Sequence, residues 1–204
     1  MRKAIFIILL LPFAGYSQPL EIKNTQGGLF SLGVRTTVSA FDGGNSGSEG
    51  MGVGGQFLIQ LSDRINTSWY LDYITGTENA LTSRKDYHIG WSVMYYLTKK
   101  SNSLFRPFLV AGHCFDKTVL TDNTNLSNNI SRGSSAVQMG GGFHLNLSER
   151  MDLTFATQYM MHLGTNVHSD IVNNAVIFEK HKGAGVEGHV LFQIGINYKI
   201  ADLW

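Results

Sequence analysis

The chain has 204 residues, suiting one domain or two small ones, and carries 16 Lys and Arg against 15 Asp and Glu for a formal net charge of +1. That balance leaves no electrostatic footprint for nucleic acid, and a charged fraction of 15% is well below the roughly one quarter usual in soluble domains. A single cysteine, Cys114, excludes an internal disulfide and reads as a small packing residue rather than a catalytic thiol.

The first stretch, MRKAIFIILLLPFAGYS, places Arg2 and Lys3 before an apolar run and ends on small residues at Gly15 and Ser17. It reads as a cleaved secretory signal over 1–17. Its apolar run is too short to cross about 30 Å of hydrocarbon as an anchor helix. Residues 18–28 follow as a periplasmic N-terminal segment. No later stretch approaches about eighteen consecutive apolar residues, so any membrane passage has to use strands.

From Leu29 onward, apolar and polar residues alternate in eight runs separated by Gly, Asn, Asp and Ser clusters. The runs are LFSLGVRTTVSA (29–40), MGVGGQFLIQLS (51–62), INTSWYLDYIT (65–75), DYHIGWSVMYYLT (86–98), LFRPFLVAGHCF (104–115), AVQMGGGFHLNL (136–147), MDLTFATQYMMHL (151–163) and GHVLFQIGINYKI (188–200). One face of these runs is aromatic, aliphatic and β-branched. The other holds Arg35, Gln56, Gln60, Asp72, His88, Ser92, Gln138, His144, Asn146, Asp152, Gln158, His162, His189, Gln193, Asn197 and Lys199, together with several glycines. The fifth run is ambiguous, because Pro107 interrupts it and bulky residues occupy both faces; Arg106 and Gly112 are assigned inward.

The connections alternate as well. Asp63-Arg64, KKSNS and SER are short, whereas FDGGNSGSEG, GTENALTSRK, DKTVLTDNTNLSNNISRGSS and the final stretch from Gly164 to Glu187 are expected as long loops. An even number of strands, short turns at one end and long loops at the other predict an all-β, eight-stranded antiparallel up-and-down transmembrane β-barrel over 29–204. A soluble lipocalin-like barrel also alternates in this way, but its outward polar face would be rich in Lys, Glu and Asp. Here that face is largely Gly, Ser, Asn, Gln and His, and Tyr73, Tyr87, Tyr95, Phe115 and Tyr198 sit near run ends like an interfacial girdle.

Reading back from Trp204 in steps of two gives Asp202, Ile200, Tyr198, Ile196, Ile194, Phe192 and Val190. A last strand with alternate apolar residues and a terminal aromatic resembles the insertion signal of Gram-negative outer-membrane proteins, carried here by Phe192, Ile194, Ile196, Tyr198 and Trp204. With RPFLVAG (106–112), similar to a middle-strand segment of OmpA-like barrels, the chain resembles the small OmpA/OmpX-type outer-membrane β-barrel proteins. The leader ending Ser17-Gln18 resembles those of Bacteroidetes. The resemblance implies a place in the outer membrane among lipid and lipopolysaccharide, insertion by the barrel-assembly machinery, and an inner polar network that plugs the lumen or gates a narrow path. No peptidoglycan-binding segment is evident after the barrel.

The candidate network comprises Arg35, Asp72, Gln56, Gln60, Asp152 and Lys199. Arg35 is expected to reach Asp72 through the layer of Gln56 and Gln60, and Asp152 to pair with Lys199. At the outer rim His162, His189, Glu187 and His88 are candidates to converge; two imidazoles and a carboxylate suit a transition metal or acid/base chemistry, while the simpler expectation is a wetted polar rim. A nucleophile beside histidine, such as Ser169 or Thr165, would suit a lipid A acyl hydrolase or transferase. The His-x-Ser spacing of such barrels is not met, because His162-Leu163-Gly164 has glycine in the nucleophile's place. No cofactor is called for, and the Gly-rich stretches lack a phosphate-loop context. NNAVIFEKHKG (173–183) has a β-prone cluster expected to form a hairpin above the membrane, open to a protein partner by strand addition. The leading expectation is thus a non-catalytic structural or surface-interaction barrel, ahead of a lipid-modifying or narrow conducting one and of a soluble binding barrel.

Overall fold

All eight alternating runs become strands of one sheet, since period-two alternation gives each strand one face for the interior and one for the surroundings. The computed structural model describes residues 27–42, 49–100, 103–173, 175–181 and 188–204. The expected signal over 1–17, most of the segment 18–28 and Glu187 lie outside those residues. The strands are β1 (Leu29–Asp42), β2 (Glu49–Gln60), β3 (Ile65–Asn79), β4 (Thr82–Tyr96), β5 (Phe105–Asp122), β6 (Asn129–Asn146), β7 (Met151–Leu163), β8 (Asn166–Val172), β9 (Ala175–His181) and β10 (Gly188–Asp202). Eight of them close in the order β1-β10-β7-β6-β5-β4-β3-β2, every pairing antiparallel, and β8-β9 form a separate two-stranded sheet.

Closure is made by β1 against β10, with Leu29 opposite Asp202 and Val38 opposite Phe192. It satisfies the backbone groups that an open sheet edge would leave bare, which is what a strand wall in lipid requires. The outer wall is apolar, with Val34 at 66% and Met139 at 68% exposure, and the buried polar side chains, such as Arg35, Asp72 and His88, lie in the interior. A soluble binding barrel needs the reverse arrangement. Aromatic rings pair across adjacent outer strands, as in Phe57 with Trp69 (centroids 5.9 Å apart), Tyr73 with Tyr87 (5.1 Å) and Phe143 with Phe155 (5.0 Å). At the short-turn end, Arg64 Nη1 donates to the Tyr95 hydroxyl at 2.8 Å and Arg150 Nη1 to the Tyr198 hydroxyl at 3.4 Å.

Two expectations are corrected. Two of the expected long loops, 76–85 and 116–135, are mostly strand: β3 and β4 are joined through Ala80-Leu81 alone, and β5 and β6, 18 residues each, run on to a connection over 123–128. About ten residues suffice to cross a bilayer when tilted, so these hairpins stand well clear of it. Above the apolar band the outer face turns polar, as at Lys85 and Lys117, and alternation of hydrophobicity stops reporting the strand. The second correction concerns the interior, which is more than small and polar residues. Leu58, Met94, Tyr96, Phe108, Val110 and Ala156 form one buried apolar cluster, and Tyr70, Cys114, Ala136, Met160 and Leu191 another. In β5 the even positions point inward, so Phe108 and Val110 fill the barrel beside Arg106, which is what made that run ambiguous.

The hairpin β8-β9 turns at Asn173, whose φ of 50° is a backbone state that asparagine tolerates. Val167 and Val176 are buried beneath it while Ile171, Val172 and Ile177 face out. Polar tethers hold it against the barrel: Asn79 Nδ2 donates to Ser169 Oγ at 2.7 Å, Asn128 Nδ2 to Val176 O at 3.1 Å, and Arg132 Nη1 to Thr165 O at 3.1 Å. Of the expected 173–183 segment, Asn174 and residues 182–183 lie outside the described residues.

Candidate functional site

The lumen holds three polar layers. In the middle one, Arg35 (β1) and Asp72 (β3) pair across β2, with Arg35 Nε donating to Asp72 Oδ1 at 2.7 Å and Nη2 to Oδ2 in a bidentate fork. The register explains the reach: Arg35 lies opposite Gly54, and Gly54 opposite Asp72. A side chain at Gly54 would collide with the Asp72 carboxylate, so the glycine is the gap through which the pair forms. The guanidinium also lies 3.9 Å from the Tyr70 ring centroid, and Gln138 Nε2 bridges the Tyr70 hydroxyl (2.5 Å) and Ser92 Oγ (2.8 Å).

Gln56 and Gln60 do not mediate that pair. Gln56 Nε2 donates to Asn197 Oδ1 at 2.6 Å, while Gln60 Nε2 donates to Ser62 O at 3.0 Å and its Oε1 accepts from Arg106 Nη1 at 3.3 Å. These contacts begin the layer nearer the short turns. There Asp152 Oδ1 accepts from Asn197 Nδ2 at 2.7 Å and lies 3.1 Å from His144 Nδ1, and Lys199 Nζ donates to Asn146 Oδ1 at 3.0 Å. Asp152 therefore takes His144 and Asn197 as partners, and Lys199 hydrogen-bonds to Asn146 rather than to Asp152. The Arg106 guanidinium lies 3.7 Å from the Tyr96 ring centroid.

The third layer sits toward the long-loop end and contains three of the four rim histidine and carboxylate candidates. His162 Nε2 and His189 Nε2 are 2.9 Å apart, Ser39 Oγ is 2.8 Å from His189 Nδ1, and His162 Nδ1 is 3.1 Å from Asp116 Oδ2. His88 Nε2 is 3.4 Å from Asp116 Oδ1, and its ring lies 5.8 Å from that of His189. These groups are buried inside the wall, not spread over a wet rim. Sequence reasoning missed Asp116, Asp86, Arg84, Thr118, Arg132 and Ser134, the groups that surround the histidines. Carrying the inward parity of Arg106 through 108, 110, 112 and 114 would have reached Asp116, directly opposite His88. The terminal candidates Phe192, Ile194, Ile196, Tyr198 and Trp204 are exposed, the first four along the outer face of β10.

Neither a family model nor a curated protein matches the chain. Solved structures do. Neisserial surface protein A is similar at 15% identity with a TM-score of 0.63, covering 87% of this chain and 99% of that one. The outer membrane protein OprG from Pseudomonas aeruginosa is similar at 19% identity, TM-score 0.57, with 85% and 96% covered. Ail, the attachment invasion locus protein of Yersinia pestis, is similar at 11% identity, TM-score 0.53, with 84% and 97% covered. The fold is that of the small eight-stranded outer-membrane barrels, consistent with the OmpA/OmpX type.

Proposed function

We propose that the chain is an outer-membrane barrel with a plugged lumen, acting through its outer rim and catalysing no reaction. The observation that carries this reading is the filled interior, where polar layers and apolar clusters follow one another from Lys199 to His189. Eight strands leave room for side chains and little else. The apolar wall supports a place among outer-membrane lipid and lipopolysaccharide, and the outward row on β10 supports recognition by the barrel-assembly machinery. The exposed Ile171, Val172 and Ile177 on β8-β9 supply a surface for a protein partner. In planar bilayers the protein is expected to give no steady conductance steps. Steady steps from the unaltered chain, abolished or enlarged by Arg35→Ala or Asp72→Ala, would replace plugging with gating.

Among the described residues, one pair favours lipid modification. His113 Nε2 and Ser135 Oγ are 2.5 Å apart at odd positions of β5 and β6, on the outward face. Nucleophile and base are within reach there, but His113 has no carboxylate partner among the described residues to orient its ring. The pair reads as two polar groups satisfying each other in an apolar wall, and lipid A mass spectra are expected to be unchanged on deletion or overexpression.

A further inference from the structure

The upper layer contains groups that the plug does not use. His88 is fully buried, yet neither of its ring nitrogens has a hydrogen-bond partner. Asp116 Oδ1, opposite it on β5, also lacks one and stands 3.4 Å from His88 Nε2. That separation exceeds an ordinary N–H···O hydrogen bond of about 2.7–3.2 Å. It matches the roughly 3.4 Å edge between two donors that each lie about 2.0–2.1 Å from a tetrahedral ion. Asp86, two residues from His88 on β4, completes a trio whose ligand atoms all lie within 4.8 Å of one another.

The remaining valences of the two carboxylates are already held by their neighbours. Arg84 Nε donates to Asp86 Oδ2 at 2.9 Å and Thr118 Oγ1 to Asp86 Oδ1 at 2.6 Å. Asp116 Oδ2 accepts from Ser134 Oγ at 3.0 Å and faces His162 Nδ1 at 3.1 Å, which leaves Oδ1 turned to His88. Ligands oriented by outer partners while one oxygen and one imidazole stay unclaimed are the pattern of a metal centre. We propose that His88, Asp116 and Asp86 bind one divalent transition-metal ion, with zinc the best match to an imidazole and two carboxylates. His162 and His189 bond each other and act as outer partners, so of the rim candidates His162, His189, Glu187 and His88 it is His88 that serves as a ligand, with Glu187 outside the described residues. Arg84 and Arg132 oppose a dication electrostatically, so the site binds more weakly than a structural zinc site. The inference is separate from plugging, since a conducting barrel could bind the ion and a plugged one could lack it.

The test is isothermal titration of the tag-free, EDTA-treated full chain in detergent with zinc chloride, in excess magnesium and calcium. One equivalent per chain is expected. His88→Gln and Asp116→Asn should abolish the binding heat, Thr118→Val should weaken binding about 10–100-fold, and His168→Gln on the hairpin should leave it unchanged. A heat-dependent shift in gel mobility checks that each variant is folded. X-ray absorption on the zinc-loaded unaltered chain needs no variant and should show a single imidazole with oxygen neighbours. No stoichiometric binding, binding retained by folded His88→Gln and Asp116→Asn, or two or more imidazoles around the ion would overturn the proposal.

Discussion

Two buried pairs, one layer apart, make opposite use of the same chemistry. Arg35 and Asp72 close on each other in a bidentate fork and leave nothing for a ligand. His88 and Asp116 sit directly opposite each other at 3.4 Å and leave ring nitrogens and a carboxylate oxygen unclaimed. Asp72 and His88 are equally inaccessible, at 0% exposure each, so burial does not separate the two. The count of satisfied valences does. A saturated pair behaves as part of a plug, whereas a pair with spare valences is a place where something else can bind.

The comparison is broken most strongly at the saturated pair. Asp72→Ala leaves a buried guanidinium unpaired and is expected to cost about 3–5 kcal/mol, read as a lower urea midpoint for the barrel in lipid vesicles. The double change Arg35→Met with Asp72→Leu should recover most of that loss, because an apolar pair of similar volume replaces the ions. Gly54→Ala acts on the same pair by collision with the Asp72 carboxylate and the Leu71 carbonyl, at an expected cost of about 1–3 kcal/mol. The metal-free His88→Gln variant has no hydrogen bond to lose and should shift stability by about 1 kcal/mol or less. A loss from His88→Gln as large as that from Asp72→Ala would erase the distinction between the two pairs.

The smallest effect on global stability is expected at the rim. Asn79→Ala with Asn128→Ala removes side-chain tethers of β8-β9 and should cost about 1 kcal/mol locally. Global unfolding should stay unchanged while limited proteolysis within 166–181 accelerates. Equal cleavage rates with and without the tethers would show that the hairpin is held by Val167 and Val176 instead.

Alternation made the barrel legible, and it sorted the inward polar set because a one-residue slip would reverse every face. It could not give partners on non-adjacent strands. Arg35 reaches Asp72 only because Gly54 lies between them, a fact of register that no single strand carries. Nor could it follow β5 and β6 beyond the apolar band, where the outward face turns polar while Asp116, Thr118 and Arg132 lie buried on the inward side with the half-buried Ser134. The expected fifth run stopped at Phe115, one residue short of the carboxylate that organises the upper layer. The pairing of Lys199 with Asn146 was hidden for a related reason. Several inward donors and acceptors share each end of a narrow barrel, and charge alone does not choose among them.

Single-channel recording of the purified, tag-free protein in planar bilayers tests the central claim of a filled lumen most directly. A flat trace at bilayer baseline for the unaltered chain, with the heat-dependent gel shift confirming a folded barrel, is the predicted result. Stable ohmic steps from that same folded protein would contradict it, and the polar layers would then have to be read as the lining of a path.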